Sequence, residues 1–224
     1  MGRLQDKLAI AHGHRKPVIH FDSMPAFKGL KWLNPLYNYI SRRQTLRITY
    51  KSFSSKQPQE YILCPYLLKE LRNRWFVFGG RMTGHVPQGA VPPLCNLALD
   101  RIVSIEPSDA PYTENPEFDP EHFFDGVIGV SKSPRSKPRT IRFLALPKHA
   151  NYIKTKPLHR SKRLLEDRTD GTTVFEIDVV VNFELYSVLM SHDPGIKVLS
   201  PPFVQQHIRD QLHQAAAGYE IEDE

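Results

Sequence analysis

The chain has 224 residues, of which 40% are hydrophobic and 24% charged. This composition excludes an intrinsically disordered chain, and the length suits one large domain or two small ones, of which we favour two. The formal net charge is +6, and because residues 219–224 contain four acids, the rest of the chain is near +10. Such a surplus favours polyanionic partners such as nucleic acid or nucleotides, although an inert basic surface would give the same count.

A membrane anchor and a disulfide framework are not expected. No apolar run approaches the roughly 20 residues that a membrane-spanning helix needs. The first residues lack the features of a signal peptide, so we expect a cytoplasmic protein. Cys64 and Cys95 each lie in an apolar, strand-like run, which is typical of reduced core thiols.

The first predicted element is a short helix. Residues 1–30 have few periodic apolar positions and are predicted to be an irregular linker. Asn34 followed by Pro35 is a good helix start, and apolar residues recur at helical spacing up to Arg42 and Arg43, which suit a helix C-terminus. The sequence therefore predicts one short amphipathic helix ahead of the first strand.

Short strands come next and predict a small β-barrel over residues 31–108. Gly79, Gly80 and Gly84 punctuate this part and are interpreted as a hairpin turn with a bend of the barrel. Polar, Pro-rich or Gly-rich breaks separate five runs of strand type, which are 46–50, 61–64, 75–78, 97–99 and 102–105.

Prolines interrupt residues 109–138, which we interpret as a linker with a hinge between Pro111 and Pro120. From Arg139 onward the order of patterns is strand, helix, strand, strand, helix, strand. This βαββαβ order predicts a ferredoxin-like domain over residues 139–217, so the expected fold class is α+β.

The last predicted helix follows Pro201 and Pro202 and ends before an acidic tail over residues 218–224. Its apolar stripe suits packing either on its own sheet or on a second subunit.

Catalytic signatures are missing from the sequence, so we expect neither an enzyme nor a cofactor. There is no phosphate loop of Walker type, no dinucleotide fingerprint, no nucleophile elbow and no zincin helix. His12 and His14 could bind a metal, but no second pair of ligands lies near them in the sequence. A Cys–His nucleophilic pair stays open, because its members need only meet in space. A nuclease or hydrolase would have to use scattered residues and to depend on added metal.

Residues 46–106 resemble the WYL domain family, which is named after a Trp-Tyr-Leu tripeptide on a central strand. Here that strand begins at Arg74 and reads RWFVFG, so the tripeptide is Trp-Phe-Val. Three further motifs carry the resemblance: LRITY from Leu46, PYLL from Pro65 and LDRI from Leu99. The second half resembles the extension domain that follows WYL domains, through FFDGVIGV and KVLSP.

The resemblance implies an Sm-like barrel that senses a negatively charged effector, either single-stranded nucleic acid or a nucleotide, within a bacterial transcriptional regulator. Many family members carry an arginine four residues before the barrel proline, and this chain has Tyr61 there. One of the usual anion-binding charges is therefore missing or moved, and Arg47, Arg74 or Arg81 could substitute for it. The candidate ligand-binding residues are Tyr50, Arg74, Arg81, Arg101 and Arg47.

Each candidate has a structural alternative. Arg101 lies beside Asp100, which could orient its guanidinium for phosphate or form a salt bridge of structural value only. Tyr50 could stack on a base or belong to the core. Trp75 and Phe76 are expected in the core. The basic run 159–163 could line a groove or be a solvated face.

Family members commonly begin with a winged helix-turn-helix that binds operator DNA, and these residues contain none, so the chain is either truncated or a naturally short member. A homodimer is expected, with the last helix as candidate interface. The alternative function is a stand-alone accessory protein that binds single-stranded nucleic acid in a defence or DNA-repair system.

Overall fold

The computed structural model describes residues 29–82, 91–133, 135–192 and 194–219. Within them the chain is a mixed α+β protein with two antiparallel sheets, separated in sequence by an irregular segment. The predicted α+β class is therefore confirmed. Among the described residues no helix is both long and apolar enough to cross a lipid bilayer.

The first sheet has five strands in the order β4-β3-β2-β1-β5. The α-helix that the sequence predicted precedes it, together with a short 3-10 helix that was not predicted, and a second 3-10 helix separates its last two strands. In chain order the elements are the 3-10 helix Leu30–Trp32, α1 Leu33–Ser41, β1 Leu46–Tyr50, β2 Gln59–Leu71, β3 Arg74–Met82, β4 Leu94–Ala98, the 3-10 helix Leu99–Arg101 and β5 Ile102–Pro107.

Strands β2 and β3 are at least twice as long as the sequence predicted, and β4 and β5 are each two residues longer. Strand β2 continues through Pro65, where its register with β3 shifts, and proline is tolerated at such an irregularity because no ladder hydrogen bond is required of it. Gly79 and Gly80 lie inside β3 and not in a turn, whereas Gly84 is outside the described residues. A Cβ at Gly79 would lie 2.5 Å from the carbonyl oxygen of Cys64, so glycine permits this close approach.

One face of the first sheet packs on helix α1. Along β1 the side chains of Leu46 and Ile48 are fully buried, while Arg47 between them is exposed, as the period of two in a strand requires. Leu36 of α1 is also fully buried and belongs to the same apolar cluster. The amphipathic helix predicted from the sequence thus covers the strands that follow it.

The Pro-rich segment after β5 packs on the other face of the first sheet. The Phe118 ring stacks on that of Phe78, with 6.3 Å between centroids, and Tyr66 Oη donates a hydrogen bond to the carbonyl oxygen of Thr113 at 2.7 Å. Tyr112 Oη donates to the Pro65 carbonyl oxygen at 3.0 Å. These contacts attach the segment to the sheet, which argues against the hinge predicted here.

The second sheet has four strands in the order β7-β8-β6-β9, and each neighbouring pair is antiparallel. The predicted βαββαβ order is present, and a final helix follows it. The elements are β6 Arg139–Ala145, α2 Pro147–Thr155, β7 Arg163–Asp167, β8 Thr173–Val179, α3 Phe183–Met190, β9 Ile196–Ser200 and α4 Pro202–Ala217.

The core of the second sheet lies between the strands and their helices. Phe143 of β6 and Phe175 of β8 are fully buried, with 5.7 Å between ring centroids, and Ile153 of α2 and Leu185 of α3 pack in the same cluster. Val204 of α4 is fully buried there too. The start of the apolar stripe of the last helix therefore packs on its own domain, whereas Leu212 near the end of the stripe is 36% exposed, so a contact with a second subunit stays a prediction.

Candidate anion-binding site

The second 3-10 helix positions two charged side chains at the end of strand β1. Leu99 begins this helix and is buried in the core of the first sheet, at 1% exposure. The backbone N–H of Lys51, the residue after β1, donates to the carbonyl oxygen of Arg101 at 3.0 Å. The anchored leucine and this hydrogen bond hold Asp100 and Arg101 beside the loop that connects β1 to β2.

Arg101 lies on an aromatic ring of that loop. Its guanidinium carbon is 3.9 Å from the ring centroid of Phe53, a distance typical of a cation–π contact. Phe53 is 78% exposed, although a phenylalanine side chain gains most from burial. Arg101 Nε is buried and has no hydrogen-bond partner among the described residues. The guanidinium is therefore held in a fixed plane with unused hydrogen-bonding capacity.

The adjacency of Asp100 and Arg101 in the sequence suggested that these two side chains pair. In the structure Asp100 pairs with Arg74 instead. Arg74 Nη2 lies 3.4 Å from Asp100 Oδ2. The other carboxylate oxygen, Oδ1, is buried and lacks a hydrogen-bond partner in the described part of the chain. Buried polar atoms without a partner are uncommon and often mark places that water or a ligand completes. Two such atoms on consecutive residues make this turn chemically distinctive.

A second cation lies on an aromatic ring further along the same sheet. The guanidinium carbon of Arg81 is 4.2 Å from the ring centroid of Tyr61, the position where family members carry an arginine. Tyr61 meets Tyr50 edge to face, with 5.7 Å between centroids. The contact brings a positive charge to this position from a neighbouring strand.

Tyr50 and Arg47 lie in surroundings different from those of the other three candidates. Tyr50 is 6% exposed and its hydroxyl accepts a hydrogen bond from the Ala98 N–H at 3.4 Å, so its ring is part of the core and supports Tyr61. Arg47 points outward and pairs with Glu60 at 3.0 Å, and both side chains are about half exposed. The structure thus brings Arg74 and Arg101 together around Asp100 and leaves Arg47 apart.

Phe53 is the residue that reasoning from the sequence missed. It lies among Ser52, Ser54 and Ser55 in a polar loop between two strands. A single large aromatic residue in such a loop has no apolar neighbours in sequence to share a core with, and this signal could have identified it.

The basic side chains of the run 159–163 bind other residues of the protein. Lys162 Nζ donates to the carbonyl oxygens of Ile153 and Lys154, both at 3.0 Å, near the C-terminus of α2. Arg160 forms an ion pair with Asp125. Arg163 Nε donates to Glu176 at 2.8 Å. These contacts favour the structural interpretation of the run over a ligand groove.

Other chemistry finds little support. His12 and His14 lie outside the described residues, and within residues 29–219, apart from the gaps already given, no group of three His, Cys, Asp or Glu side chains could hold a metal ion. Cys64 and Cys95 are free thiols. Burial raises the pKa of Cys95 to about 11, which keeps this sulfur protonated and a poor nucleophile at neutral pH.

Each half of the chain matches the profile of a known domain family. The WYL domain profile matches residues 31–107 and the WCX domain profile matches residues 137–216. Proteasome accessory factor B/C (PafBC) of Arthrobacter aurescens is 16% identical over 91% of this chain and 29% of that chain, with a TM-score of 0.33. A crystal structure described as a CRISPR Cas-related protein is 15% identical over 86% of this chain and 52% of that chain, with a TM-score of 0.50.

This chain spans about half of the length of the second structure and under a third of the first. A search of curated protein sequences finds no match. The two profiles together cover most of the sequence, one on each sheet. The chain therefore belongs to the WYL-domain family and consists of a WYL domain followed by a WCX domain.

Proposed function

We propose that this chain is the effector-sensing part of a WYL-family bacterial transcriptional regulator. Its effector is a negatively charged molecule, single-stranded nucleic acid or a nucleotide, that binds to the first sheet around Arg101. One observation carries the proposal: the Arg101 guanidinium lies on the exposed ring of Phe53, and neither its own buried Nε nor the neighbouring buried Oδ1 of Asp100 has a hydrogen-bond partner among the described residues.

The arrangement suits the two parts of a nucleotide. A planar guanidinium with free N–H groups donates paired hydrogen bonds to a phosphate. One face of the Phe53 ring contacts Arg101, and because the residue is 78% exposed its other face is open to a base. Stacking tolerates any base and contributes roughly 1–3 kcal/mol for each base. Arg74 pairs with Asp100 at the same turn, which reduces the repulsion between this carboxylate and a phosphate.

Binding at this turn would act on the N-terminal side of the chain. Gly29 precedes the first 3-10 helix at a φ of 94°, and a Cβ there would lie 2.5 Å from the backbone nitrogen of Asp100. Trp32 Nε1 donates to the carbonyl oxygen of Ile102 at 3.2 Å. An effector that shifts Asp100 and Arg101 thus shifts the entry of the chain into the domain, where regulators of this family carry their DNA-binding module. Sensing requires that the effector favour one of two such arrangements.

A second candidate function uses the same site. The four residues that form the described contacts of the site, Arg74, Asp100, Arg101 and Phe53, all come from the first sheet or its loops, so these contacts involve no residue of the second domain. A stand-alone protein that binds single-stranded nucleic acid in a defence or repair system fits equally, and a structure of similar fold is described as CRISPR Cas-related. The presence of a helix-turn-helix in the full reading frame distinguishes the two, because only the regulator binds operator DNA.

Several expectations from the sequence complete the proposal. The first sheet is an Sm-like barrel and the second domain is ferredoxin-like, an assignment supported by the strand orders. The protein is a cytoplasmic homodimer without a cofactor or a catalytic role. We expect the interface of the dimer on the part of α4 that its own domain leaves exposed, which includes Phe203.

The test is fluorescence anisotropy with labelled single-stranded DNA, single-stranded RNA and duplex DNA over a salt series. We expect single strands to bind at least tenfold more tightly than duplex, with an affinity that falls steeply with salt. Arg101→Ala should weaken single-strand binding at least tenfold. The matched control is Arg168→Ala, which removes an exposed arginine of the second domain that pairs with Glu166. Equal binding of duplex and single strands, or a silent Arg101→Ala, would overturn the proposal.

A further inference from the structure

The second domain contains a cavity of about 460 Å³ between α3, β9 and α4. This volume lies within the range of about 300–1,000 Å³ that is usual for small-molecule sites. Its floor is apolar: Leu189 comes from the end of α3, Ile196 from β9, and Ile208 and Leu212 from α4. Three separate elements therefore build one concave apolar surface.

Basic side chains form the rim of this cavity. Lys197 of β9 and Arg209 and His213 of α4 all line it. Arg209 and His213 are four residues apart, so they lie on the same face of their helix. Among the described residues none of the three forms an ion pair, and the lining includes no carboxylate. Asp210, the acid next to Arg209, instead accepts a hydrogen bond from Gln206 at 2.7 Å.

A protein strand is a poor occupant of this cavity. Strand β9 is at the edge of its sheet and is only five residues long. Gln205 Nε2 donates to the carbonyl oxygen of Val198 at 2.7 Å, so the middle of the free edge already has a partner. Strand addition needs such groups to be open.

A second copy of the chain is also a poor occupant. A two-fold contact places the same surface patch of each copy against the other, which would bring Lys197 and Arg209 of the two copies together. Like charges without intervening acids oppose such a contact. The charge of the rim instead complements an anion.

We propose that this cavity binds a small amphipathic organic anion, with an apolar acyl or aromatic body and one carboxylate. The body lies on the floor formed by Leu189, Ile208 and Leu212, and the carboxylate meets Arg209 and Lys197 at the rim. The site is separate from the turn around Arg101 and gives the WCX domain a ligand of its own.

The test is isothermal titration calorimetry of the whole chain with decanoate and, as a probe of equal chain length and opposite charge, decyltrimethylammonium. We expect one decanoate per chain with saturable binding, and decyltrimethylammonium at least tenfold weaker. Similar affinities for the two probes would mean that apolar contact alone is measured, and that result would overturn the proposal. An absence of saturable decanoate binding would also overturn it.

Two variants locate the binding. The double variant Lys197→Gln, Arg209→Gln removes both rim charges and should weaken decanoate at least tenfold, while Leu212→Trp fills the floor and should abolish binding with the charges intact. Lys148→Gln on α2 removes an exposed lysine that does not line the cavity and is the matched control. Far-ultraviolet circular dichroism and urea unfolding verify that each variant folds.

Unchanged decanoate binding in both folded variants would overturn the assignment to this cavity. Sedimentation velocity provides the other decisive result: a dimer that Leu212→Trp dissociates would make the cavity an interface between copies. Neither result depends on nucleic-acid binding at Arg101, so failure here and failure of the proposed function are distinguishable.

Discussion

The arginines of the two sheets differ in what their side chains contact. On the second sheet Arg163 donates to Glu176 and to Asp178, and Arg142 shares Glu176 with it. On the first sheet Arg101 lies on an exposed ring, and its Nε has no hydrogen-bond partner in the part of the chain that the structure describes. Both regions are basic in sequence. Positive charge therefore does not locate an anion site, whereas unpaired hydrogen-bonding capacity beside an open aromatic ring does.

The largest expected effect separates the two regions directly. Arg101→Ala should weaken single-strand binding at least tenfold and leave the urea midpoint unchanged. Arg163→Ala should do the opposite, because it removes the donor to both Glu176 and Asp178 and leaves the open sheet face with excess negative charge. Anisotropy and urea unfolding on both variants measure this crossed pattern. If Arg163→Ala weakened binding as much as Arg101→Ala, the second sheet would belong to the site and the contrast would fail.

Phe53 should give the next largest effect. Phe53→Ala is expected to weaken single-strand binding about fivefold to tenfold, because a ring as exposed as this one should contribute the lower part of the roughly 1–3 kcal/mol that is typical of one stacked base. Its urea midpoint should hardly change, since the side chain is 78% exposed. Phe53→Trp, which keeps a flat ring, is the matched variant and should bind as the unaltered chain does. Equal loss in both variants would mean that the loop, and not stacking, matters.

Acid pH should lower the free energy of unfolding more through the second sheet than through the first. The pKa of Asp178 is lowered by hydrogen bonds from Thr140 and Arg163, and the pKa of Glu176 is lowered chiefly by Arg163. A lowered pKa in the folded chain means stabilisation that is present above the unfolded value of about 4 and is lost as pH falls through the folded value. The urea concentration at the unfolding midpoint should therefore decrease once the pH is lowered past about 4.

The Arg163→Ala variant provides the control for this dependence. With the arginine absent, the pKa values of both carboxyls move towards their unfolded values, so the fall with acid should be shallower. A fall of equal steepness in the two proteins would assign the acid sensitivity to other carboxyls of the chain.

The smallest effect is expected at Arg47. Its pair with Glu60 is about half exposed on both sides, and exposed pairs contribute roughly 0–1 kcal/mol. Arg47→Ala should change single-strand affinity less than twofold and the urea midpoint hardly at all. A tenfold loss of affinity in this variant would extend the site onto the outer face of β1.

The order of the elements could be predicted from the sequence, and the contacts of the charged residues could not. Alternation such as Leu46, Arg47, Ile48 fixes a strand and its buried face locally. Proline, in contrast, was taken to end a strand, and β2 passes through Pro65 because a bulge removes the need for its hydrogen bond. Local rules miss such long-range compensation.

The candidate site shows the same limit. The LDRI motif identified the turn that holds Arg101, but adjacency in sequence suggested Asp100 as its partner, and the fold brings Arg74 to Asp100 from strand β3. The partners of Arg163 are Glu176 and Asp178, which lie 13 and 15 residues further along the chain. The residues next to Arg163 in the sequence therefore do not indicate that its charge is neutralised. Pairing across strands decides which cations remain available, and sequence patterns do not encode it locally.

The aromatic contacts between the first sheet and the segment that follows it bear on how this protein can be divided. The profile of the WYL domain ends at residue 107, whereas Phe118 beyond it stacks on Phe78 of the sheet. A recombinant fragment cut at the profile boundary would present Phe78 and Tyr66 to water and invite aggregation. The unit to express, or to exchange between homologous regulators, therefore extends to about residue 133, beyond the boundary that sequence comparison draws.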